Sequence, residues 1–498
     1  MSKKKYYQEK HRPQFHFSPE ANWMNDPNGM VYLDGEYHLF YQYYPDSTIW
    51  GPMHWGHAVS KDLVIWEHLP IALYPDDLGH IFSGSAVIDK ENSAGFGKNA
   101  MIAIYTYHNM EEEKSGKSIR YQSQAIAYST DKGRTFTKYE GNPVIPNPGI
   151  KDFRDPKVRW DDRTSQWIMV LATYYNSIFY SSHDLKSWTH LSDWGKEYGE
   201  HGGVWECPDI FPMVVQETGE EKWVLLQSLN PGGPVGGSGT QYFVGSFDGK
   251  NFTLDPEFAK DVREGEAVWL DHGADNYAGV TWSNTPNVDG RKFFIAWMSN
   301  WQYAQVVPTE KWRSAMTLPR TLELHKVGQD YRLRSMPVEE LSKIEGTKTV
   351  IRTGTYNSGA SLLSAGIDKL KIHVEISSIL AKDIQFKFSN SMEECLLVGY
   401  NVLKKLYYID RTKAGINDFE DQFSAVHTLS KLDPEASSEL LIYLDHSSVE
   451  LFVDKGSGCM TDIFFPSEPF SKLELIIQEG TIEIIKGSVT ELGSIWNR

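Results

Sequence analysis

Cysteine is scarce in this sequence, and the few cysteines present form no recognisable metal or disulfide pattern. The 498 residues include three cysteines, which lie far apart and make no Cys-x-x-Cys pair. An odd number at such spacing argues against a disulfide framework and against a cysteine-based zinc site. His54 and His57 lie close together, but no third ligand is evident, so structural or rim roles are favoured. No metal and no cofactor are therefore predicted.

Long apolar runs are absent as well. No segment approaches the ~18 consecutive apolar residues of a membrane-spanning helix. The first ten residues are basic but have no apolar stretch behind them, so they do not read as a secretory signal. We therefore expect a cytoplasmic location. A secretory signal that was cleaved off ahead of residue 1 stays an open alternative.

Positive charge is under-represented. Lys and Arg total 49 against 66 Asp and Glu, which gives a formal net charge of −17. Such a field repels nucleic acid and anionic membranes, so neither is an expected partner. A neutral sugar is compatible with it, and the acidic balance equally suits a solubility role. Homo-oligomerisation stays open.

Helical periodicity is rare, whereas short apolar or alternating runs are frequent. Examples are Ala100–Tyr107, Trp167–Ala172 and Phe293–Trp297, most with Gly, Pro, Asn or Asp close by. This pattern is typical of many short strands joined by turns. The aromatic share of 13% favours both a β-rich fold and a sugar-binding surface.

A short repeat organises these strands. Ser60–Trp66 recurs as Ser182–Trp188, and looser copies occur at Ser129–Phe136 and Ser246–Phe252. In each copy a Ser-x-Asp turn follows a predicted strand, and the closing aromatic begins the next one. Repeats spaced by roughly 50–70 residues, each holding several strands, indicate propeller blades rather than a β-sandwich.

The predicted fold is therefore all-β, with a five-bladed β-propeller followed by a β-sandwich. The propeller is predicted over residues 10–322 and carries the unusual polar clusters. Residues 323–345 are predicted to form a linker with some helical character. Alternating strands return over 346–498, which fits a sandwich.

Three acidic segments of similar form lie in the predicted propeller: Trp23–Gly29, Asp152–Lys157 and Trp205–Phe211. Each places an acid near a proline, just before a predicted strand. A single Asp-Pro pair is most simply a turn. Because the first strand of every blade lines the propeller axis, acids at matching positions are expected to converge. A calcium site is disfavoured, since no EF-hand-like spacing occurs.

Converging carboxylates suit the cleavage of a glycosidic bond. One carboxylate attacks the anomeric carbon while a carboxylic acid protonates the leaving oxygen, and a separation of ~5–5.5 Å gives retention of configuration. Clustering raises the pKa of at least one of the acids, which lets it donate a proton near neutral pH. A third carboxylate can hold sugar hydroxyls.

With these three segments the chain resembles glycoside hydrolase family 32, which includes invertases, levanases, exo-inulinases and sucrose-6-phosphate hydrolases. The segments match the family motifs in order, and the resemblance covers essentially the whole chain. It implies Asp26 as the nucleophile, Asp155 as a transition-state stabiliser that binds fructose hydroxyls, and Glu206 as the acid/base.

The resemblance also implies a fructose-binding pocket. Hydroxyl-binding and wall residues are expected at Asn25, Gln42, Trp50, Phe82, Ser83, Arg154 and Trp297, with Asp275 as a weaker candidate. Arg154 and Asp155 are neighbours, and neighbours on an extended strand point to opposite faces. Both can reach one sugar only if the chain bends there, as Pro156 would permit.

Three functions are compatible with this pattern. The leading prediction is an exo-acting fructan hydrolase that also cleaves sucrose, because Met298–Trp301 and Trp312–Pro319 look closest to the levanase and exo-inulinase branch. The alternative is an intracellular invertase or sucrose-6-phosphate hydrolase, which the absence of a recognisable signal supports. A non-catalytic fructan-binding protein is disfavoured by the three intact acids.

Overall fold

The computed structural model describes residues 6–263, 265–286, 290–433 and 436–496. Four antiparallel sheets of four strands each follow one another from the N-terminal side. The first contains β1 Asn22–Leu33, β2 Glu36–Tyr44, β3 His54–Ser60 and β4 Trp66–Leu73; the second contains β5 His80–Asp89, β6 Ala100–His108, β7 Gln122–Ser129 and β8 Thr137–Lys138, with helix α1 Met110–Ser115 between β6 and β7. The third contains β9 Arg154–Asp161, β10 Gln166–Ala172, β11 Ser177–Ser182 and β12 Thr189–Trp194; the fourth contains β13 Val204–Val214, β14 Glu221–Asn230, β15 Gly239–Phe247 and β16 Phe252–Leu254.

A fifth sheet completes the first domain and is preceded by a 3₁₀ turn at Phe258–Lys260. Its strands are β17 Tyr277–Thr281, β18 Lys292–Met298, β20 Ala315–Met316, β21 Arg320–Val327 and β22 Asp330–Pro337. The short strand β19 Trp312–Arg313 instead pairs in parallel with β1 of the first sheet. This pairing fastens the end of the domain to its beginning.

The five sheets are arranged as a ring. The first strand of each sheet, namely β1, β5, β9, β13 or β17, contacts the first strand of the next sheet, and β17 contacts β1. Sheets that close in this way around a channel form a propeller. The prediction of a five-bladed β-propeller is confirmed.

The repeated Ser-x-Asp segments form the same turn in successive blades, between the third and fourth strands. In the first blade Ser60 Oγ donates to Asp62 Oδ1 at 3.1 Å, and the same oxygen accepts from the backbone N–H groups of Val64 and Ile65. Ser182 and Asp184 make the equivalent bond at 3.1 Å. The carboxylate thus replaces the backbone acceptors that a tight turn lacks, which explains the repeat.

The C-terminal domain is a β-sandwich, as predicted. Its strands are β23 Glu345–Val350, β24 Gly354–Ala365, β25 Leu370–Ile379, β26 Asp383–Ser389, β27 Cys395–Asn401, β28 Leu406–Lys413, β29 Val426–Ser430, β30 Ser438–Leu444, β31 Ser448–Val453, β32 Gly458–Ile463 and β33 Lys472–Leu492. The long strand β33 belongs to both layers, because residues 472–478 pair with β26 and residues 482–491 pair with β25. It crosses between layers at Glu479 and Gly480, which both have left-handed φ angles. Alternate side chains from the two layers, such as Val374 and Phe386, share one apolar core.

The predicted linker is shorter in the structure than the sequence suggested. Residues 323–337 belong to β21 and β22, whose ladder runs from Arg320↔Pro337 to Val327↔Asp330 and joins the fifth blade through β18. The sequence did not identify these two strands because their outward-facing side chains are charged, as they would be in an exposed linker. Only a 3₁₀ helix at Glu339–Ile344 separates the blade from β23. Within the described ranges, no helix has the length and apolar character needed to span a membrane.

Candidate active site

The five inner strands share an irregularity at the same end of the channel. Their pairing with the second strand of each blade shifts register near Met24, Phe82, Asp155, Cys207 and Ala278. Asp155, Cys207 and Ala278 have positive φ angles of 63°, 47° and 55°. A bulge bends the strand and re-aims its side chains. Consecutive residues can therefore face the channel together, which is how both Arg154 and Asp155 reach it.

A cavity of about 350 Å³ opens at this end of the channel. It brings together Asp26, Asp155 and Glu206, which lie on three different blades. It also contains six of the residues expected to bind the sugar: Asn25, Gln42, Trp50, Phe82, Ser83 and Arg154. The convergence expected from matching blade positions is present.

Asp26 is held by short contacts at both carboxylate oxygens. Oδ1 accepts from Asn25 Nδ2 at 3.0 Å, while Oδ2 accepts from Ser83 Oγ at 2.7 Å and from the Cys207 thiol at 3.4 Å. Burial raises the pKa of Asp26, and the charge of Glu206 adds to this, whereas the three donors favour the ionised form. The contacts fix the carboxylate in one orientation towards the cavity.

The local sequence around Asp26 also fits this geometry. Gly29 has a φ of +54°, and a Cβ there would lie 2.6 Å from Phe40 and 2.7 Å from Trp55. Only glycine fits both the conformation and the space. The Asn-Gly pair in the first acidic segment is therefore required by packing against β2 and β3.

Asp155 lies deeper, with its side chain 5% exposed. Its Oδ2 accepts from the backbone N–H of Cys207 at 2.9 Å, and Thr106 Oγ1 accepts from the backbone N–H of Asp155 at 3.0 Å. Burial raises the pKa of Asp155 to about 7; Glu206 and Asp26 add to the shift, and Arg154 opposes it. Cys207 thus links Asp155 and Asp26 and is a structural member of the site.

Glu206 lies between a guanidinium and a phenol. Arg154 Nη2 donates to its Oε1 at 2.9 Å, and the Tyr277 hydroxyl makes a very short contact with Oε2. Arg154 is itself oriented by Asp152, at 2.7 Å from Nη1. The Glu206 side chain remains 23% exposed, so it can exchange protons with solvent.

Two residues expected in the pocket lie elsewhere. Trp297 is fully buried behind the wall, where it packs on Trp23 and Trp301. Asp275 is fully buried at the junction of the two domains, where its carboxylate is 2.9 Å from Arg411 Nη1 and 2.6 Å from the Tyr303 hydroxyl. Neither lines the cavity, so the expectation for both residues is wrong. The sequence next to Asp275 gives no local sign of which domain its carboxylate faces.

The cavity also contains residues that were not singled out from the sequence. They are His108, Glu113, Gln122, Asp152, Asn230, Trp301 and Gln305, and Tyr277 touches Glu206 from the fifth blade. His108 stacks on Phe82 at a centroid distance of 4.2 Å. Burial lowers the pKa of His108 to about 3, so the ring is neutral. Asp152 and Trp301 lie in quoted segments and could have been found; the others lie at strand ends, in α1 or in a loop, with no motif of their own.

Replacing Asp155 by Asn is expected to stabilise the fold at neutral and alkaline pH. The folded-state pKa of about 7 exceeds the ordinary 3.8, so this group's contribution to stability is fully present below pH 3.8 and is lost as the pH rises through 7. The Asn amide avoids that loss while its oxygen still accepts from Cys207. We expect a gain on the order of 1 kcal/mol above pH 7 that disappears near pH 4.

Urea unfolding of both proteins from pH 4 to pH 8.5 measures this difference. Asp34→Asn, at an exposed turn after β1, is the matched control and should show no such trend. A difference that is independent of pH, or one that favours the wild type at pH 8, would contradict the assignment.

The site defines a class of enzyme. Three carboxylates from separate blades surround one cavity, whose size suits a small polar molecule. The Glu206 carboxylate is accessible to solvent for proton exchange, whereas hydrogen-bond donors fix those of Asp26 and Asp155. This is the constellation that a glycoside hydrolase needs to break an acetal bond.

Family models agree with this class over nearly the whole chain. Residues 16–337 match the model described as glycosyl hydrolases family 32 N-terminal domain, and residues 337–491 match glycosyl hydrolases family 32 C terminal. The chain belongs to glycosyl hydrolase family 32, and it is a glycosidase.

Similar proteins and structures cover both domains. A levanase of Bacillus subtilis is 46% identical over 500 residues, which is 99% of this chain and 72% of that protein. The crystal structure of an exo-inulinase from Aspergillus awamori has a TM-score of 0.90 at 36% identity and covers 98% of this chain and 100% of that one. A β-fructofuranosidase from Schwanniomyces occidentalis complexed with fructosyl-erythritol has a TM-score of 0.88 at 31% identity, covering 98% and 99%.

Proposed function

We propose that this enzyme releases terminal β-D-fructofuranosyl units from the fructans levan and inulin, and from sucrose, with retention of configuration. The observation that carries the proposal is the meeting of Asp26, Asp155 and Glu206 in one cavity. The names of similar proteins, levanase and exo-inulinase, support the substrate class.

The geometry suggests a separate role for each of the three acids. Asp26, ionised and fixed by Ser83 and Asn25, attacks the anomeric carbon and forms a fructosyl ester. Glu206 protonates the leaving glycosidic oxygen and then removes a proton from the water that hydrolyses the ester. Asp155 accepts hydrogen bonds from the ring hydroxyls, and its negative charge favours the oxocarbenium-like state.

The closed floor of the cavity supports exo action. Below the carboxylates, Lys157 Nζ lies 3.0 Å from Asp209 Oδ2 and also donates to the Thr281 carbonyl, which joins three inner strands across the channel. Ser85 bonds the Pro156 carbonyl at 2.8 Å and adds a fourth strand. Since a polymer cannot thread through this plug, a fructose unit has to enter the cavity from its open end, as the end of a chain does.

The charge of the cavity favours a neutral substrate over a phosphorylated one. Five carboxylates line it, those of Asp26, Glu113, Asp152, Asp155 and Glu206. The guanidinium of Arg154 is already paired with three of them, Asp152, Asp155 and Glu206, and His108 is neutral. Among the described residues that line the cavity, a phosphate ester would find no spare cation, which speaks against the sucrose-6-phosphate alternative.

Product analysis tests exo action, and kinetics on both sugars test the preference for a neutral substrate. We expect fructose as the sole early product from levan and from inulin, since the blind cavity holds one end unit. We also expect kcat/KM for sucrose 6-phosphate to lie about tenfold or more below that for sucrose, because the phosphate meets uncompensated carboxylates. A ladder of oligosaccharides would overturn exo action, and a preference for the phosphorylated sugar would favour the alternative.

A further inference from the structure

A second cavity, of about 480 Å³, lies at the opposite end of the propeller channel. It is lined by the later residues of four inner strands, β5, β9, β13 and β17. The plug formed by Lys157 and Asp209 separates it from the carboxylates of the active site. The proposed hydrolysis makes no use of it.

Three cationic side chains line the interior of this second cavity: Lys157, Arg159 and Lys292. Of these three, only Lys157 has a carboxylate partner among the described residues, Asp209. The Arg159 guanidinium stacks on Trp223 at 4.5 Å, and its buried Nη1 has no hydrogen-bond partner in the part of the chain that the structure describes. Lys292 Nζ lies 5.8 Å from the centre of the Phe211 ring. Within the described residues, neither Arg159 nor Lys292 is within salt-bridge distance of an acid.

The acids that line the cavity do not balance these charges. Asp209 Oδ2 is occupied by Lys157 and by Thr281, and Asp89 accepts from the backbone N–H groups of Ser93 and Ala94 in its own loop. The remaining charged residues of the cavity are exposed at its rim: Lys90, Glu91 and Asp162. The interior therefore holds an excess of positive charge, in a protein whose net charge is −17.

A cluster of cationic side chains destabilises the fold when no anion lies between them. The pKa of Lys292 is lowered to about 8, first by burial and then by the charges of Arg159 and Lys157, while Asp209 opposes the shift. Burial also lowers the pKa of Arg159. Buried charges without partners destabilise a fold, and an anion between them would remove that penalty.

We propose that this second cavity binds the phosphate group of a small molecule. A guanidinium and an ammonium are the side chains that recognise phosphate oxygens best, the first by two parallel hydrogen bonds. Asp209 Oδ1 is buried with no partner and can accept from a hydroxyl of the ligand. Trp160 and Trp167 on the cavity wall offer an apolar surface, so a phosphorylated monosaccharide fits as well as free phosphate.

Isothermal titration calorimetry at pH 7 and constant ionic strength tests the proposal, with inorganic phosphate and a hexose monophosphate as separate probes. We expect saturable binding of one or both to the wild type. Arg159→Gln and Lys292→Gln should each weaken it by about tenfold or more. Lys292→Arg, which keeps the charge, should retain binding, as should Lys250→Gln, which removes one lysine charge from an exposed turn.

The controls separate this cavity from the active site. Phosphate should bind Asp26→Ala as it binds the wild type, and saturating fructose should not displace it. Without phosphate, Lys292→Gln should unfold at or above the wild-type temperature, since an unpaired buried charge has been removed. Tighter binding of the hexose monophosphate identifies a sugar phosphate as the ligand, and equal binding identifies free phosphate. Absence of binding, displacement by fructose, or unchanged affinity in both Gln variants would overturn the proposal.

Discussion

Asp26→Ala is expected to reduce the turnover of sucrose by on the order of 10⁴-fold or more, because no other carboxylate can form the covalent intermediate. Asp155 is held by Cys207, and Glu206 by Arg154 and Tyr277. Steady-state hydrolysis of sucrose measures the loss.

Rescue of Asp26→Ala by azide gives a sharper readout than the loss alone. A small anion entering the space left by the carboxylate attacks the same face of the sugar. The product should then be fructosyl azide of inverted configuration. Asp34→Asn serves as the matched control and should keep wild-type turnover. A folded Asp26→Ala protein with near-normal turnover would refute the proposed mechanism.

Glu206→Ala is expected to lower the turnover of sucrose by about 10²–10⁴-fold, which is the usual contribution of a general acid. The loss in kcat/KM, which reports the first step, should be much smaller for an aryl fructoside than for sucrose, because a phenolate departs without protonation. With that substrate the second step becomes limiting, so a burst of phenol should precede a slow steady state. Stopped-flow absorbance measures the burst.

Azide again distinguishes the role of Glu206. Here the fructosyl ester on Asp26 still forms, and azide attacks it from the side that water would use. The product should be fructosyl azide of retained configuration, opposite to that from Asp26→Ala. Glu221→Gln, on the neighbouring β14 and exposed, should have no effect. An equal loss in kcat/KM for sucrose and for the aryl fructoside would assign Glu206 a role other than the acid.

The two large cavities of the propeller differ in charge although they share strands. Asp155 and Lys157 are two residues apart on β9, and Glu206 and Asp209 are three apart on β13. One end of the channel is rich in carboxylates and the other in cations. The Lys157–Asp209 pair between them closes the channel and keeps the two sets apart. A neutral sugar and a phosphate group can therefore be bound by one propeller without competing.

Local sequence predicted some features of this protein well. The Ser-x-Asp turns and the acid–proline segments are determined by neighbouring residues, so they could be read directly and placed on blades. The linker was misjudged because β21 and β22 carry charged outer faces, which resemble an exposed connection. Trp297 and Asp275 were misplaced because their partners, Trp301, Arg411 and Tyr303, meet them only after the chain has folded.

The sequence by itself determined the all-β class, the propeller followed by a sandwich, and the three acids that meet in the channel. These follow from strand period, turn chemistry and repeated blade positions, which are local properties. The tertiary structure decided which side chains face the cavity, because bulges with left-handed residues at Asp155 and Cys207 re-aim them. It also decided the closed floor and the cationic cavity beyond it, since these depend on contacts between strands far apart in the chain.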